Sequence, residues 1–294
     1  MSHIEIRPAQ PEDRAAVLAF CTHTWDWGDY IEQVWDDWLV NPAGQLLVAT
    51  LDQQPAGIVH IQMLNEAESW LEGLRVNPDY QRQGLGQALN EAAMVESMRR
   101  GAITIRLAVD SRNTASIRLS ERLHMRRVGE FSLYMAPPFA SLPKSSSQQA
   151  LQLATPEDLD VIIDYLNASN IFPLVGGVYY AQFKALPITG ELLTQKIDAQ
   201  QVYLLKRWER LDGLALTEIR EENQEQRLSV GYLDGTAIEA ISIIAYELRR
   251  HVTELELDRV RVYAPQTLLM HDAFDGVEYE ANPAIFYTYE RGLI

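Results

Sequence analysis

The amino-acid sequence points to an α/β (α+β) protein made of two tandem domains. Length is the first indication, since 294 residues are about twice a common domain size. The second is that short alternating apolar runs, which read as strands, interleave with segments of helical spacing in both halves. The third is a repeat: AQPEDRAAVL (Ala9 to Leu18) and ATPEDLDVII (Ala154 to Ile163) align without a gap, each just after an alternating segment. Between the halves, PPFASLPKSSSQQ (Pro137 to Gln149) is rich in Pro, Ser and Gln and has no apolar period, so it reads as a connector. The expected domains are 1–138 and 150–294, with a linker at 139–149.

In chain order, the two repeat segments are helix starts. In the second, Thr155 can cap the helix, with Pro156 at its first position and Asp158 three residues after the cap. LLVATL and AGIVHIQM flank DQQP as a β-hairpin. WLEGLRV (Trp70 to Val76) alternates as a third strand, and Leu85, Leu89, Ala92 and Val95 then recur at helical spacing. ITIRLAV and, late in the chain, RVRVYA are further alternating strands, each followed by a helix-like stretch and another strand.

With 47% hydrophobic and 22% charged residues the chain reads as an ordinary globular protein. Its net charge of −16, divided as −5 over residues 1–145 and −11 over 146–294, argues against a nucleic-acid partner. Cys21 is the single cysteine, so no intrachain disulfide forms and a reducing compartment is expected. MSHIEIRPAQ lacks the features of a signal peptide, and nowhere do eighteen apolar residues run together; the expectation is a cytoplasmic protein with no membrane partner.

The stretch NPDYQRQGLGQALN sets Gly84 and Gly86 where the third strand hands over to a helix. Free N–H groups at a helix start carry partial positive charge, and glycine permits close backbone approach, so an anion can be cradled there. A simple turn is the plainer reading. A dinucleotide fingerprint, with Asp110 as ribose acid, is disfavoured: Leu89 stands where a third glycine belongs, and the preceding strand alternates instead of being uniformly apolar.

Gln81, Gly84 and Gly86 fit the pattern Arg/Gln-x-x-Gly-x-Gly/Ala, and in this the segment resembles the GNAT acetyltransferase superfamily. WLEGLRVNPDYQRQGLGQAL looks like that family's central strand and pyrophosphate loop, and AVDSRNTASIRLSERLHM like its next strand, Asn and helix. The resemblance implies, for each half, a mixed and mostly antiparallel central sheet flanked by helices. It implies acetyl-CoA as co-substrate and no metal. The backbone of Leu74, Arg75 and Val76 would pair with the pantetheine arm. Arg82, Gln83, Gly84, Leu85, Gly86 and Gln87 would wrap the pyrophosphate, and Asn113 would touch the cofactor, its other reading being a helix cap.

Acyl transfer from a thioester needs a base to strip the attacking ammonium and a route for the thiolate to leave. Glu72, two residues before Leu74 on the central strand, is the candidate base, with His60 second. Some relatives use a Glu on the next strand, where this chain has Ala108, and many carry a Tyr acid where it has Ser120; Ser120 positioning a water, or Tyr134 on the last strand, is the candidate substitute, and an ordinary helix serine is the simpler reading of Ser120. The six histidines show no ligand spacing, so no metal is expected.

THTWDWGDYIEQVWDDWLVNP (Thr22 to Pro42) packs four tryptophans among acids. Trp25, Asp26, Trp27, Asp29 and Tyr30 are candidate acceptor-binding residues, because acids among aromatic rings can enclose an ammonium group. Equally, the stretch reads as an amphipathic helix with Trp35 and Trp38 in the core. The segment is loosely similar to amino-acid acetyltransferases of the superfamily, whereas the pyrophosphate loop looks like that of ribosomal-protein N-terminal acetyltransferases. The expected function is transfer of an acetyl group from acetyl-CoA to the primary amine of a small molecule or amino acid. A protein N-terminal acetyltransferase, or an acyl-CoA sensor without turnover, is the alternative. After residue 150 the loop pattern is absent, so 150–294 reads as a degenerate GNAT-like domain that covers a sheet edge or closes the acceptor cleft.

Overall fold

The computed structural model of the chain describes residues 4–22, 24, 28–143, 151–207, 210–222 and 224–293. Contacts gather it into two units. Met1–Ala108, Asn113–Arg126 and Tyr289–Ile294 form the first; Val109–Arg112 and Arg127–Thr288 form the second. The division therefore falls at Arg126 and not within 139–149, and the end of the chain returns to the first unit; residues 144–149 of the expected linker lie outside the described residues.

In the first unit β1 (Ile4–Pro8), β2 (Gly44–Leu51), β3 (Gln54–Met63) and β4 (Glu68–Val76) lie side by side and antiparallel, and β5 (Thr104–Asp110) joins β4 in parallel. Asp52 and Gln53, both at positive φ (49° and 71°), make the tight turn between β2 and β3, a conformation that matches the twist of the strands it joins. The helices α1 (Arg14–Cys21) and α2 (Ile31–Val40) send Val17, Cys21, Ile31, Trp35 and Trp38 into one apolar cluster with Leu46, Val48 and Ile58. Burying a tryptophan's 150–250 Å² of surface stabilises by about 4–6 kcal/mol before entropy is charged against it. Glu32, Asp36 and Asp37 face water, so the amphipathic-helix reading of this stretch holds from Ile31 onward.

The helix α3 (Leu85–Arg99) starts where its glycine pair predicts, but its buried face differs from the expected stripe. Leu85, Leu89, Ala93 and Ser97 are buried at four-residue spacing, whereas Val95 is exposed. Small residues let the helix lie close to the sheet, and apolar character alone does not report that. The shorter helix α4 (Thr114–Arg122) follows β5.

The second unit holds β6 (Arg126–Ala136), β7 (Gln152–Leu153), α5 (Leu159–Ala168), the hairpin β8 (Val178–Ala181) and β9 (Lys184–Pro187), and α6 (Gly190–Asp198). After these come β10 (Val202–Arg207), β11 (Arg210–Glu222), β12 (Glu225–Gly235), α7 (Ile238–Glu254), β13 (Arg259–Ala264), α8 (Leu268–Asp275) and β14 (Glu280–Gly292). Its strand order is β7-β10-β11-β12-β13-β6-β14, with β7 through β12 antiparallel and β13 parallel to β12. That repeats the order of the first unit. The two repeat segments behave alike too: Pro11–Asp13 and Pro156–Asp158 are each one 3-10 turn closed by a reciprocal capping box, through Gln10 and Asp13 in one and Thr155 and Asp158 in the other. Each unit is thus a mostly antiparallel sheet flanked by helices.

Candidate active site

Parallel strands β4 and β5 pair only at Glu68–Trp70 with Thr104–Arg106. Beyond that the register between them stops, although β4 runs on to Val76. The cause lies in β4. Ile58 faces Arg75 and His60 faces Glu72, so three steps on β4 meet two on β3, a β-bulge that bends the strand end away. Gly73 sits in the bulge at φ +69°, and a Cβ there would fall 2.5 Å from the ring of Trp38; glycine is required on both counts. The paired end is locked by Arg106, which bridges Glu68 and Glu290.

From β4 the chain runs through Asn77, whose side chain accepts from the Asp79 N–H and caps a short turn at Pro78–Tyr80. Gln81 to Gly84 are exposed. Arg82 and Gly84 both hold positive φ (63° and 85°), and Gly84 is the N-cap of α3 with no side-chain capping bond. The first N–H groups of the helix therefore lack intrahelical partners and point at the loop. A Cβ on Gly84 would meet nothing within 4 Å; one on Gly86 would lie 3.5–4.0 Å from Leu119, Val76 and Leu74. The strand split, the open loop and bare amides at the head of a 15-residue helix fit the diphosphate and pantetheine of acyl-coenzyme A.

Of the predicted catalytic residues, Glu72 stands at the bulge with Oε1 3.0 Å from Nδ1 of His60. The two candidates for the base, Glu72 first and His60 second, are thus neighbours. His60 is fully buried and its ring stacks on Trp38 at 4.3 Å between centroids and 5° between planes. Glu72 keeps 18% side-chain exposure, enough to meet a substrate. Its carboxylate is held in place yet reachable, which is what a proton acceptor needs.

The other predicted residues have the following surroundings. Tyr134 lies in the core of the second unit, 1% exposed and stacked on Phe274. Ser120 is buried, and its hydroxyl donates to the Ser116 carbonyl at 2.9 Å, so its proton serves the helix backbone. Asn113 caps α4, its carbonyl oxygen accepting from the Ser116 N–H, a role compatible with the expected cofactor contact. Asp29 is not an open ammonium receptor: Arg75 donates to it from Nε (2.7 Å) and Nη2 (3.1 Å). Burial pushes the Asp29 carboxyl up, but the Arg75 and Thr24 hydrogen bonds outweigh it and hold the group below the usual carboxylate range. Tyr30 lies under the Arg75 guanidinium, 5.3 Å from ring centroid to Cζ. Trp25, Asp26 and Trp27 lie outside the described residues.

The Asp29–Arg75 clamp and the His60–Trp38 stack were not foreseen. The first joins residues 46 apart and has no local signature. The second has no local signature either; what the pairing of the adjacent strands sets is His60 opposite Glu72.

The corresponding junction in the second unit is built differently. Only Thr236 and Ala237 separate β12 from α7. A Cβ on Gly235 would fall 2.7 Å from Ile241. The bulge recurs at Gly231, where Tyr179 and the Tyr180 carbonyl press against the strand.

Residues 13–125 match the model of the acetyltransferase (GNAT) family. This stretch is a GNAT acetyltransferase domain. Ribosomal protein bS18-alanine N-acetyltransferase of Escherichia coli K12 is 48% identical over 56 residues, 19% of this chain and 38% of that protein. Its Salmonella typhimurium counterpart is 38% identical over 77 residues, 26% of this chain and 51% of that one. The chain therefore spans about half or less of these relatives' length. In fold, a GCN5-related N-acetyltransferase from Sphaerobacter thermophilus superposes with TM-score 0.58 at 14% identity, covering 99% of this chain and 96% of its own. One from Anabaena variabilis gives TM-score 0.52 at 13% identity, covering 99% and 73%. The GNAT domain thus contains the split strands, the loop at Arg82–Gln87 and Glu72. Among the described residues no helix is long and apolar enough to cross a membrane, and no cluster of metal-ligating side chains occurs.

Proposed function

We propose that the protein transfers an acetyl group from acetyl-CoA to the primary amine of a small molecule or amino acid by direct attack on the thioester. The observation that carries this reading is the β4–β5 split ending at an exposed loop whose amides have no internal partner. In this reading the amides of Arg82–Gln87 hold the diphosphate, and the backbone of Leu74–Val76 orients the chain that follows. Glu72 accepts the proton of the attacking ammonium, and His60 fixes the carboxylate by its hydrogen bond. Bound acetyl-CoA supplies a carbonyl already activated by a thiol leaving group with a pKa of about 8.5, which departs without obligatory protonation. Neither Ser120 nor Tyr134 is then needed as an acid.

The single buried cysteine is in keeping with a cytoplasmic protein. The second unit, with its two-residue β12–α7 junction, takes no coenzyme. A peptide N-terminus is the second reading of the acceptor, favoured by the identity to the bS18-alanine acetyltransferases. Spectrophotometric thiol release against small amines, amino acids and a peptide with N-terminal alanine tests the proposal. Turnover with a small amine supports it, and turnover with the peptide alone replaces the acceptor. Tight acetyl-CoA binding with an all-negative panel would make the protein a sensor.

A further inference from the structure

The second unit carries a cluster that acetyl transfer does not use. Arg220 on β11 faces Arg227 on β12, which faces Arg259 on β13, and Arg261 is two residues further along the same face. Like charges directly opposite one another across strands are destabilising. That four arginines share one sheet face in a half of the chain with a net charge of −11 calls for a compensating anion. Among the described residues, internal carboxylates do not balance it. Glu218 is shared by Lys196 and Arg220, and Glu225 pairs with Arg259 at 2.9 Å. That leaves Glu222 for both Arg227 and Arg261, touching the first and standing 3.9 Å from the second. The Arg227 side chain is only 6% exposed, and the Arg261 Nε is buried without a hydrogen-bond partner. Burial, with Arg261 and Arg259 close by, lowers the Arg227 guanidinium from its ordinary value.

Arg220, Arg227, Arg261 and Glu222 line a cavity of about 100 Å³. Arg227, Arg261 and Ser229 supply donors, Phe183 and Tyr263 form an aromatic wall in edge contact at 5.7 Å, and Glu222 lies at the mouth with 48% side-chain exposure. Paired guanidinium forks match the planar geometry of a carboxylate better than that of a point charge. The internal occupant is itself a carboxylate, attached at the end of β11 and half in solvent.

We propose that this cavity binds a small carboxylate anion, held by Arg227 and Arg261 against the Phe183–Tyr263 wall, and that Glu222 occupies the same arginines when the ligand is absent. The site is separate from the GNAT domain and independent of the acetyl-transfer reading. An internal carboxylate competes with an external one, so removing it raises the fraction of protein ready to bind.

Isothermal titration of the full chain with acetate, succinate, benzoate and inorganic phosphate tests this, using wild type, Glu222→Gln and Arg261→Gln, with circular dichroism to confirm folding. The expected result is saturable carboxylate binding to wild type, tightened about tenfold or more in Glu222→Gln and lost in Arg261→Gln. Should Arg261→Gln fail to fold, Arg261→Lys, which keeps the charge but not the fork, should bind at least about tenfold more weakly. Binding to Glu222→Gln alone would overturn the proposal, making Glu222 a permanent counter-ion. Preference for phosphate, equal responses in all variants, or no saturable binding would overturn it as well.

Discussion

Substituting Gly84 separates the backbone role of the loop from its role in binding. At φ +85° and ψ 0° a residue with a Cβ is strained by about 1–2 kcal/mol. No further steric cost arises in the free protein, because a Cβ there meets nothing within 4 Å. Gly84→Ala should therefore lower unfolding stability by that strain alone, and Gly84→Asn by less, since Asn tolerates left-handed backbone. Gly84→Trp should cost no more stability than Gly84→Ala, since its ring extends into open space. If that space is where the diphosphate lies, the ring displaces it. Loss of the amide contacts, several charge-assisted bonds at roughly 1.5–3 kcal/mol each, is then expected to weaken acetyl-CoA by at least about a hundredfold. Urea unfolding followed by fluorescence gives the stability arm and isothermal titration the affinity arm. Gly84→Trp binding acetyl-CoA within about threefold of wild type, with stability matched to Gly84→Ala, would refute the cradle.

Other expectations concern the base and the Arg75 clamp. For Glu72→Gln, turnover at neutral pH should fall by about 10²–10⁴-fold with acetyl-CoA affinity unchanged, because a proton acceptor is lost and no binding contact is; an unaltered pH–rate profile removes Glu72 as base. Arg75→Ala leaves Asp29, whose side chain is 4% exposed, without its cation, and should cost about 3–5 kcal/mol in urea unfolding. A loss under 1 kcal/mol would show the pair to be solvated. The pH dependence follows from Asp29 and Asp13, whose folded pKa values both lie below the ordinary carboxyl value through Arg75 and Arg7 respectively, against the opposing effect of burial. Such groups contribute stability above the unfolded pKa of about 3.9 and lose it as pH falls through the folded value. Wild type should thus weaken below about pH 4, and Arg75→Ala should show a smaller acid-dependent loss. An identical acid profile for the two proteins contradicts this assignment.

What could be read in the sequence is what the chain encodes locally. The DQQP turn, the alternation of WLEGLRV and the glycine pair at the head of α3 each depend on neighbours within a few residues, and each stands where the pattern sets it. Likewise Trp35 and Trp38 face inward at three-residue spacing. The expected stripe on α3 failed at Ala92 and Val95 because Ser97 and Ala93 are buried for their size and not for their apolarity. The surroundings of Tyr134 were hidden for a different reason: nothing within β6 says that the strand pairs with β13, more than a hundred residues on. Asp29 looked like a receptor for an external cation because its own cation, Arg75, arrives from another strand.

Everything in the acetyl-transfer account depends on where the coenzyme lies, and a crystal structure of the chain with coenzyme A tests it most directly. The account predicts diphosphate oxygens about 3 Å from the amide nitrogens of residues 82–87, with the pantetheine arm alongside Leu74–Val76. A diphosphate bound in the second unit, or a split between β4 and β5 left without pantetheine, contradicts it.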